Sequence, residues 1–223
     1  ITNTLIPRLN EHLDNYKPLI AHYILKKANG KGIVPLHQNW SLTDEDNFAS
    51  ISLWCPLIDT NLDNGTLQFV PGSHKMFRGP RGNWGSSNFK DANDIILEKY
   101  LEPVFLKAGQ AVIFDDSILH YSTPNISKDV RLAVQMVVIP NDAKGIYYYK
   151  DPHAKDDLIE AVEVEAPYFW DFKDWVGNKA NCKPLGRFNI AVPQYDAKRF
   201  ESVYLGKPIE KPSVLQRVVS FFK

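Results

Sequence analysis

Cysteine is scarce. Cys55 and Cys182 are the only two in 223 residues and stand far apart, which argues against a disulfide-stapled fold and for a reducing, cytoplasmic setting. Long apolar runs are also missing: no stretch reaches the roughly 18 residues of a membrane-spanning helix, so no membrane association is expected. Neither sign of charge is in excess. The 26 basic residues are balanced by 26 acidic ones, which leaves no concentrated positive field of the kind nucleic acid requires. Internal repeats, low-complexity segments and linkers are absent too. With 44% apolar residues, the chain therefore reads as one soluble domain over 1–223. It opens on Ile1-Thr2-Asn3-Thr4, with neither an initiator Met nor a signal-peptide pattern, so an incomplete N-terminus is expected.

What is present is a succession of short strands punctuated by turns. Pro7 to Tyr16 reads as a short helix, Leu19 to Leu25 as a strand, Asn29-Gly30-Lys31-Gly32 as a turn, and Val34 to Trp40 as a strand. Ala49 to Leu57 alternates, with Ser50, Ser52 and Trp54 on one face and Ile51, Leu53 and Cys55 on the other. Thr66 to Val70 lies between the turns Asp63-Asn64-Gly65 and Pro71-Gly72-Ser73. Gly79 to Asn93 reads as a loop and Asp94 to Tyr100 as a short helix. The segments Val104–Leu106, Gln110–Phe114, Val130–Ile139 and Ile146–Tyr149 complete the strands. This pattern predicts an all-β sandwich or jelly roll. The pattern blurs beyond Asp156. Pro167 to Val176 is aromatic-rich, and its Tyr168 to Phe172 stretch suits either a cover over a cavity or core packing. Ser213 to Phe222 suits a terminal amphipathic helix.

The chemistry concentrates in two segments. His37 and Asn39 are separated by one residue, which on a strand puts both side chains on one face and Gln38 on the other. His120-Tyr121-Ser122 supplies a second imidazole, and Arg131 opens a strand whose face also carries Ala133, Gln135 and Val137. Two His and a third oxygen ligand on one side of an octahedral ion leave positions open for a cosubstrate and dioxygen. An Arg entering an apolar strand needs an anion if it points inward, its fork matches a carboxylate, and the Ser122 hydroxyl can reach the same group. Each feature also has an ordinary reading: two polar residues at a strand mouth, and an edge Arg with its head in water.

Taken together, the segments resemble the phytanoyl-CoA dioxygenase family of iron(II)/2-oxoglutarate oxygenases. The residues that carry the resemblance are His37-Gln38-Asn39-Trp40, Trp54, the run Asn64-Gly65-Thr66-Leu67-Gln68-Phe69-Val70-Pro71-Gly72-Ser73-His74-Lys75, and His120-Tyr121-Ser122 followed by Arg131. The resemblance implies a double-stranded β-helix (jelly roll, cupin-like) with flanking helices. It implies iron(II) held by His37 and His120, and 2-oxoglutarate chelating that iron with its far carboxylate on Arg131 and Ser122. Gln38 and Trp54 occupy positions that often line the cosubstrate pocket, beside the plainer roles of outward polar residue and core aromatic. The implied activity is hydroxylation of a C–H bond in a small or carrier-linked substrate, using dioxygen and releasing succinate and carbon dioxide.

Asn39 departs from the family pattern, which has Asp there. Three readings follow. The amide oxygen ligates the metal; or the amide stays off the metal, with halogenase-like chemistry as a minor variant; or the chain is an inactive, ligand-binding relative or an Asp-to-Asn variant. Asp115-Asp116, just before His120, reads as a solvated pair, with orienting a His or replacing the missing ligand as the alternative. Asp44-Glu45-Asp46 likewise reads as a solvated acidic turn, His74 as a turn residue, and His12, His22 and His153 as surface or capping residues. Ser50, Ser52 and Gln135 are expected to line the cavity, because they share faces with Trp54 and Arg131.

Overall fold

The computed structural model describes residues 1–30, 32–84, 88–156, 158–170, 182–190 and 192–206. Eight strands make up the body of the fold: β1 (Tyr16–Lys26), β2 (Val34–His37), β3 (Ile51–Pro56), β4 (Leu67–Phe69), β5 (Glu102–Pro103), β6 (Val112–Asp115), β7 (His120–Ser122) and β8 (Arg131–Pro140). They pair antiparallel in two four-stranded sheets, ordered β1-β8-β3-β6 and β2-β7-β4-β5. Each step along the chain from β1 to β8 moves to the other sheet, except between β4 and β5. This is the winding of a jelly roll, the fold class read from the sequence.

The alternation in β3 shows why the sheets stack. Trp54 turns inward and packs with Phe114 and Ala133 of its own sheet and with Leu67 and Phe69 of the other. Leu53 and Cys55 turn outward and are covered by Leu9 of helix α1 (Thr2–Leu9), together with Met136 and Val138 of β8. The second sheet is backed by α2 (Asn93–Lys99) and α3 (Ala197–Tyr204), whose Ile96 and Phe200 bury against Leu36, Phe77, Phe89 and Leu119. Asp196 caps α3 by accepting a hydrogen bond from the Arg199 amide at 2.7 Å. A third sheet, ordered β11-β10-β9, joins β9 (Gly145–Lys150), β10 (Ile159–Val164) and β11 (Lys183–Phe188).

Several boundaries differ from the sequence reading. The first helix ends at Leu9, so the expected helical stretch from Pro7 to Tyr16 holds only its last turn and the bend into β1. Pro7 lies inside this helix, where it has no N–H to offer the Asn3 carbonyl, and the helix ends two residues later. The strand that begins at Val34 stops at His37. Of the blurred region, β10 and β11 are strands that alternation did not disclose, because both faces of β10 are largely buried. Tyr168 and Phe169 act as packing residues against Tyr147 and the Leu19–Ile139 cluster. The rest of the aromatic stretch, from Asp171, and the expected helix at Ser213 to Phe222 lie outside the described residues. Among the described residues no helix is long and apolar enough to cross a membrane.

Candidate active site

The antiparallel register sets His37, at the end of β2, directly opposite His120, at the start of β7. Their ring centroids are 4.1 Å apart. Each ring is held by its own strand: Nδ1 of His37 donates to the Pro35 carbonyl at 2.8 Å, and Nδ1 of His120 donates to the Ile118 carbonyl at 2.9 Å. A carbonyl only accepts, so in both rings these bonds put the proton on Nδ1 and leave the lone pair on Nε2; the His37 ring also lies against the His120 backbone. A metal-binding imidazole takes this tautomer. Burial, first of all, lowers the pKa of both rings; for His120 the neighbouring His37 adds to it and the value falls well below the ordinary one. Both are therefore neutral bases at pH 7. His120 faces the interior, with its ring 5.9 Å from Phe69 and 5.4 Å from Phe114.

Asn39 follows His37, and its backbone is fixed on both sides. Its N–H donates to the Asp116 carbonyl at 3.0 Å, and its carbonyl accepts from Nε of Arg81 at 2.7 Å. Its side-chain Nδ2 donates to Oδ1 of Asp116 at 2.8 Å and to Oγ of Ser52 at 3.2 Å. Ser52 donates to the same Asp116 oxygen at 2.5 Å, and Gln135 donates to Ser52 at 3.1 Å. Asp116 is fully buried, and desolvation raises its carboxyl to about 6 against the lowering effect of these bonds. The expectation of a solvated Asp115-Asp116 pair is thus corrected. Asp115 accepts from Arg78 at 2.6 Å and from Ser117, while Asp116 sits under Asn39 with Oδ2 unpartnered among the described residues. Ser52 and Gln135 belong to this polar chain. Glu45 is likewise buried, in a two-pronged ion pair with Arg81, so the Asp44–Asp46 turn is only partly solvated.

At the far end of the interior stands a pair of cations. Arg131 is 2% exposed, lies over the Trp54 ring with its guanidinium carbon 5.1 Å from the centroid, and donates once, to the Gly65 carbonyl at 3.2 Å. Its Nε and Nη1 are buried with no partner among the described residues. Its cross-strand neighbour is Lys26, equally buried, whose Nζ donates to the Ser122 carbonyl at 3.0 Å, to Ser122 Oγ at 2.7 Å and to the Thr123 carbonyl. Burial, with Arg131 repulsion second, lowers Lys26 to about 7, and burial lowers Arg131 to about 10. The three donors of Lys26 are thus all used, and the donors left over are the Arg131 Nε and Nη1 groups, which suit an anion beside two buried cations. Ser122 contributes in a way the sequence did not suggest: its hydroxyl hydrogen goes to the Gly65 carbonyl at 2.7 Å, so it braces Lys26 instead of offering a free donor.

Gln38 has partners distinct from those of the Asn39 side chain: its amide donates to the carbonyls of Phe77 and Ser117. It lies beside a cleft of about 520 Å³ that opens at His37 and is lined by Trp40, Arg81, Trp84 and Phe89. His74 offers its backbone carbonyl to Ser117, and its Nδ1 is buried without a partner among the described residues.

The family model for phytanoyl-CoA dioxygenase (PhyH) matches residues 7–133, more than half of the chain. The chain belongs to the phytanoyl-CoA dioxygenase family. It is similar to the phytanoyl-CoA dioxygenase domain-containing protein 1 homolog of Dictyostelium discoideum, at 30% identity over 58% of this chain and 48% of that protein. It is also similar to the phytanoyl-CoA dioxygenase of Arabidopsis thaliana, at 30% identity over 66% of this chain and 50% of that protein. The chain spans about half the length of the curated relatives it matches. Among solved structures, a non-heme monooxygenase, the ThoJ-Ni complex, aligns over 90% of this chain and 68% of its own at 18% identity and a TM-score of 0.49.

A phytanoyl-CoA dioxygenase fold calls for iron and 2-oxoglutarate, and the residues present fit both. The two Nε2 lone pairs suit a divalent metal, and the orphaned guanidinium nitrogens suit a carboxylate. Among the described residues no set of three His, Cys, Asp or Glu is placed to hold a metal, and the residue two places after His37 is an amide, Asn39. Sequence reasoning missed Lys26 and the depth of Asp116. A basic residue closing an otherwise apolar strand was the available signal for the first. Nothing in the sequence distinguished Asp116 from Asp115.

Proposed function

We propose that this chain is the catalytic jelly roll of an iron(II)- and 2-oxoglutarate-dependent oxygenase that hydroxylates a C–H bond of a small or carrier-linked organic substrate. The supporting observation is the pairing of two neutral imidazoles, tied at Nδ1 with the lone pair on Nε2, with a buried cation pair inside the same barrel. In this reading His37, His120 and Asn39 hold the metal. Arg131 and Lys26 hold the far carboxylate of 2-oxoglutarate, Trp54 supports Arg131 from below, and Ser122 sets the Lys26 ammonium. Bound iron with 2-oxoglutarate and dioxygen supplies the oxidising power and yields succinate and carbon dioxide. The protein's own share is positional. The buried cations fix the cosubstrate's reach, the apolar walls Phe69 and Phe114 exclude water, and the cleft beside His37 presents one substrate bond to the metal.

The direct test follows succinate in air with iron(II), 2-oxoglutarate and a reductant. Slow succinate formation without added substrate is expected from the wild type, and none from His120→Ala. Asn39 favours one second reading, a 2-oxoglutarate-binding relative without turnover. The same assay, run beside a 2-oxoglutarate binding measurement, separates the two: binding with no succinate assigns the chain to the second class.

A further inference from the structure

We infer that Asn39 and Asp116 have exchanged roles relative to an ordinary His-x-Asp site: Asn39 ligates the metal through Oδ1, and Asp116, one hydrogen bond behind it, supplies the negative charge. The inference rests on the iron reading above.

Three observations carry it. The first is the orientation of the Asn39 amide. A carboxylate can only accept, so the atom of Asn39 that meets Asp116 Oδ1 at 2.8 Å is Nδ2, and Ser52 Oγ takes a second contact from the same nitrogen. Both contacts fall on the nitrogen. Among the described residues Oδ1 of Asn39 accepts no hydrogen bond, and Asn39 lies two residues past His37, just beyond the end of β2.

The second is the position of Asp116. A carboxylate buried to 0% exposure is costly unless it is paired, yet among the described residues no Lys, Arg or His bonds to it. Its Oδ1 takes two hydrogen bonds from Asn39 and Ser52, and its Oδ2 takes none among the described residues. Arg81 acts on Asp116 only through space, because its guanidinium hydrogen bonds go to Glu45 and to the Asn39 and Gly79 carbonyls; a divalent cation on the far side of Asn39 adds the positive charge linked to the carboxylate through one hydrogen-bonded amide. An amide polarised by a carboxylate at its nitrogen is a better oxygen donor, since charge pushed onto the amide raises the basicity of Oδ1. A buried carboxylate raises the basicity of a ligating imidazole through its N–H in the same manner.

The third is that the pair is rigidly held. Asn39 N–H donates to the Asp116 carbonyl, Asp116 N–H donates to the Ser50 carbonyl at 3.0 Å, and Arg81, itself locked by Glu45, holds the Asn39 carbonyl. Asp116 is therefore a positioning residue that acts through Asn39.

A charge-swap cycle tests the inference without turnover. Cobalt(II) is titrated anaerobically into metal-free wild type, Asp116→Asn, and the double variant Asn39→Asp/Asp116→Asn, with affinity read from the visible d–d absorption and melting temperature recorded for each. Asp116→Asn leaves two amides and no charge, and its affinity is expected to fall roughly 10–100-fold. The double variant restores a carboxylate to the metal and is expected to recover at least wild-type affinity, although it too lacks Asp116. A merely structural Asp116 would weaken metal binding only in step with a lower melting temperature, whereas the inference expects Asp116→Asn to lose affinity with its melting temperature retained. Equal affinity in wild type and Asp116→Asn, or a double variant no tighter than the single one, overturns the inference while leaving the iron reading intact. Absence of cobalt binding by the wild type overturns both. If Asp116→Asn does not fold, Asn39→Ala decides, because it keeps the carboxylate: unchanged affinity there removes Asn39 from the metal and overturns the inference.

Discussion

At the scale of single residues, the proposed anion site rests on two buried cations, Lys26 and Arg131, that repel one another. Lys26 is the one that responds to pH. Its folded pKa lies near 7, lowered by burial and then by Arg131. A dianionic cosubstrate draws that value upward, so binding takes up a proton. Below the ligand-free pKa the ammonium is already formed and affinity is at its full value; as pH rises through about 7, affinity falls. Fold stability has the opposite slope: the unfolded chain keeps this proton up to about pH 10 and the folded chain releases it near 7, so the ligand-free protein gains stability as pH rises across that window. Calorimetric 2-oxoglutarate titrations on the metal-loaded protein between about pH 6.5 and 8.5 are expected to weaken with pH, and Lys26→Met to be weak and flat. A wild-type affinity that does not vary there removes Lys26 from the site. Gly65 is the second residue to probe. At φ +80° its Cβ would stand 2.6 Å from the Thr123 carbonyl and 2.9 Å from the Lys26 side chain, while its own carbonyl holds Ser122 and Arg131. Gly65→Ala is expected to lose at least about 1–2 kcal/mol in denaturant unfolding, and 2-oxoglutarate affinity with it.

Among the elements, what was legible in the sequence followed period. The alternation Ser52, Trp54 against Leu53, Cys55 sorted the β3 side chains correctly to the barrel interior and to α1, and the Arg131 strand behaved in the same way. The one-residue gap between His37 and Asn39 reads as one strand face, but β2 ends at His37 and Asn39 lies beyond it; the structure sets His120 across from His37 in register. Elements buried on both faces, such as β10, gave no alternation to read, and a Pro near a helix end blurred where α1 stops. Buried polar contacts between distant segments were not legible at all. Nothing local in Asp44-Glu45-Asp46 marks Glu45 for Arg81, and Asp116 meets Asn39 only because a β6–β7 turn crosses the end of β2. The capping of α3 can be tested at this scale. Asp196→Ala removes the oxygen that accepts the Arg199 amide, and is expected to cost about 1 kcal/mol in chemical unfolding. No change in midpoint would show that the last helix contributes little to the fold.

For the whole molecule, the family match ends at residue 133, but packing does not. Phe200 of α3 is 0% exposed and stacks on Phe77 and Tyr204, with Phe89 edge-on, against the outer side of the sheet that carries both His. Phe200→Ala is expected to cost about 3–5 kcal/mol and to lower a single unfolding transition, whereas a separate, earlier transition would mean that the last helix folds as its own unit.

The central claim is that imidazole pair, amide and buried cations assemble into one metal and cosubstrate site. Its most direct test is an anaerobic titration of the metal-free protein with iron(II) and 2-oxoglutarate, watching for the visible charge-transfer band of the chelate. A saturable band that disappears in Arg131→Ala is the predicted result. No band at saturating metal and cosubstrate would contradict the account.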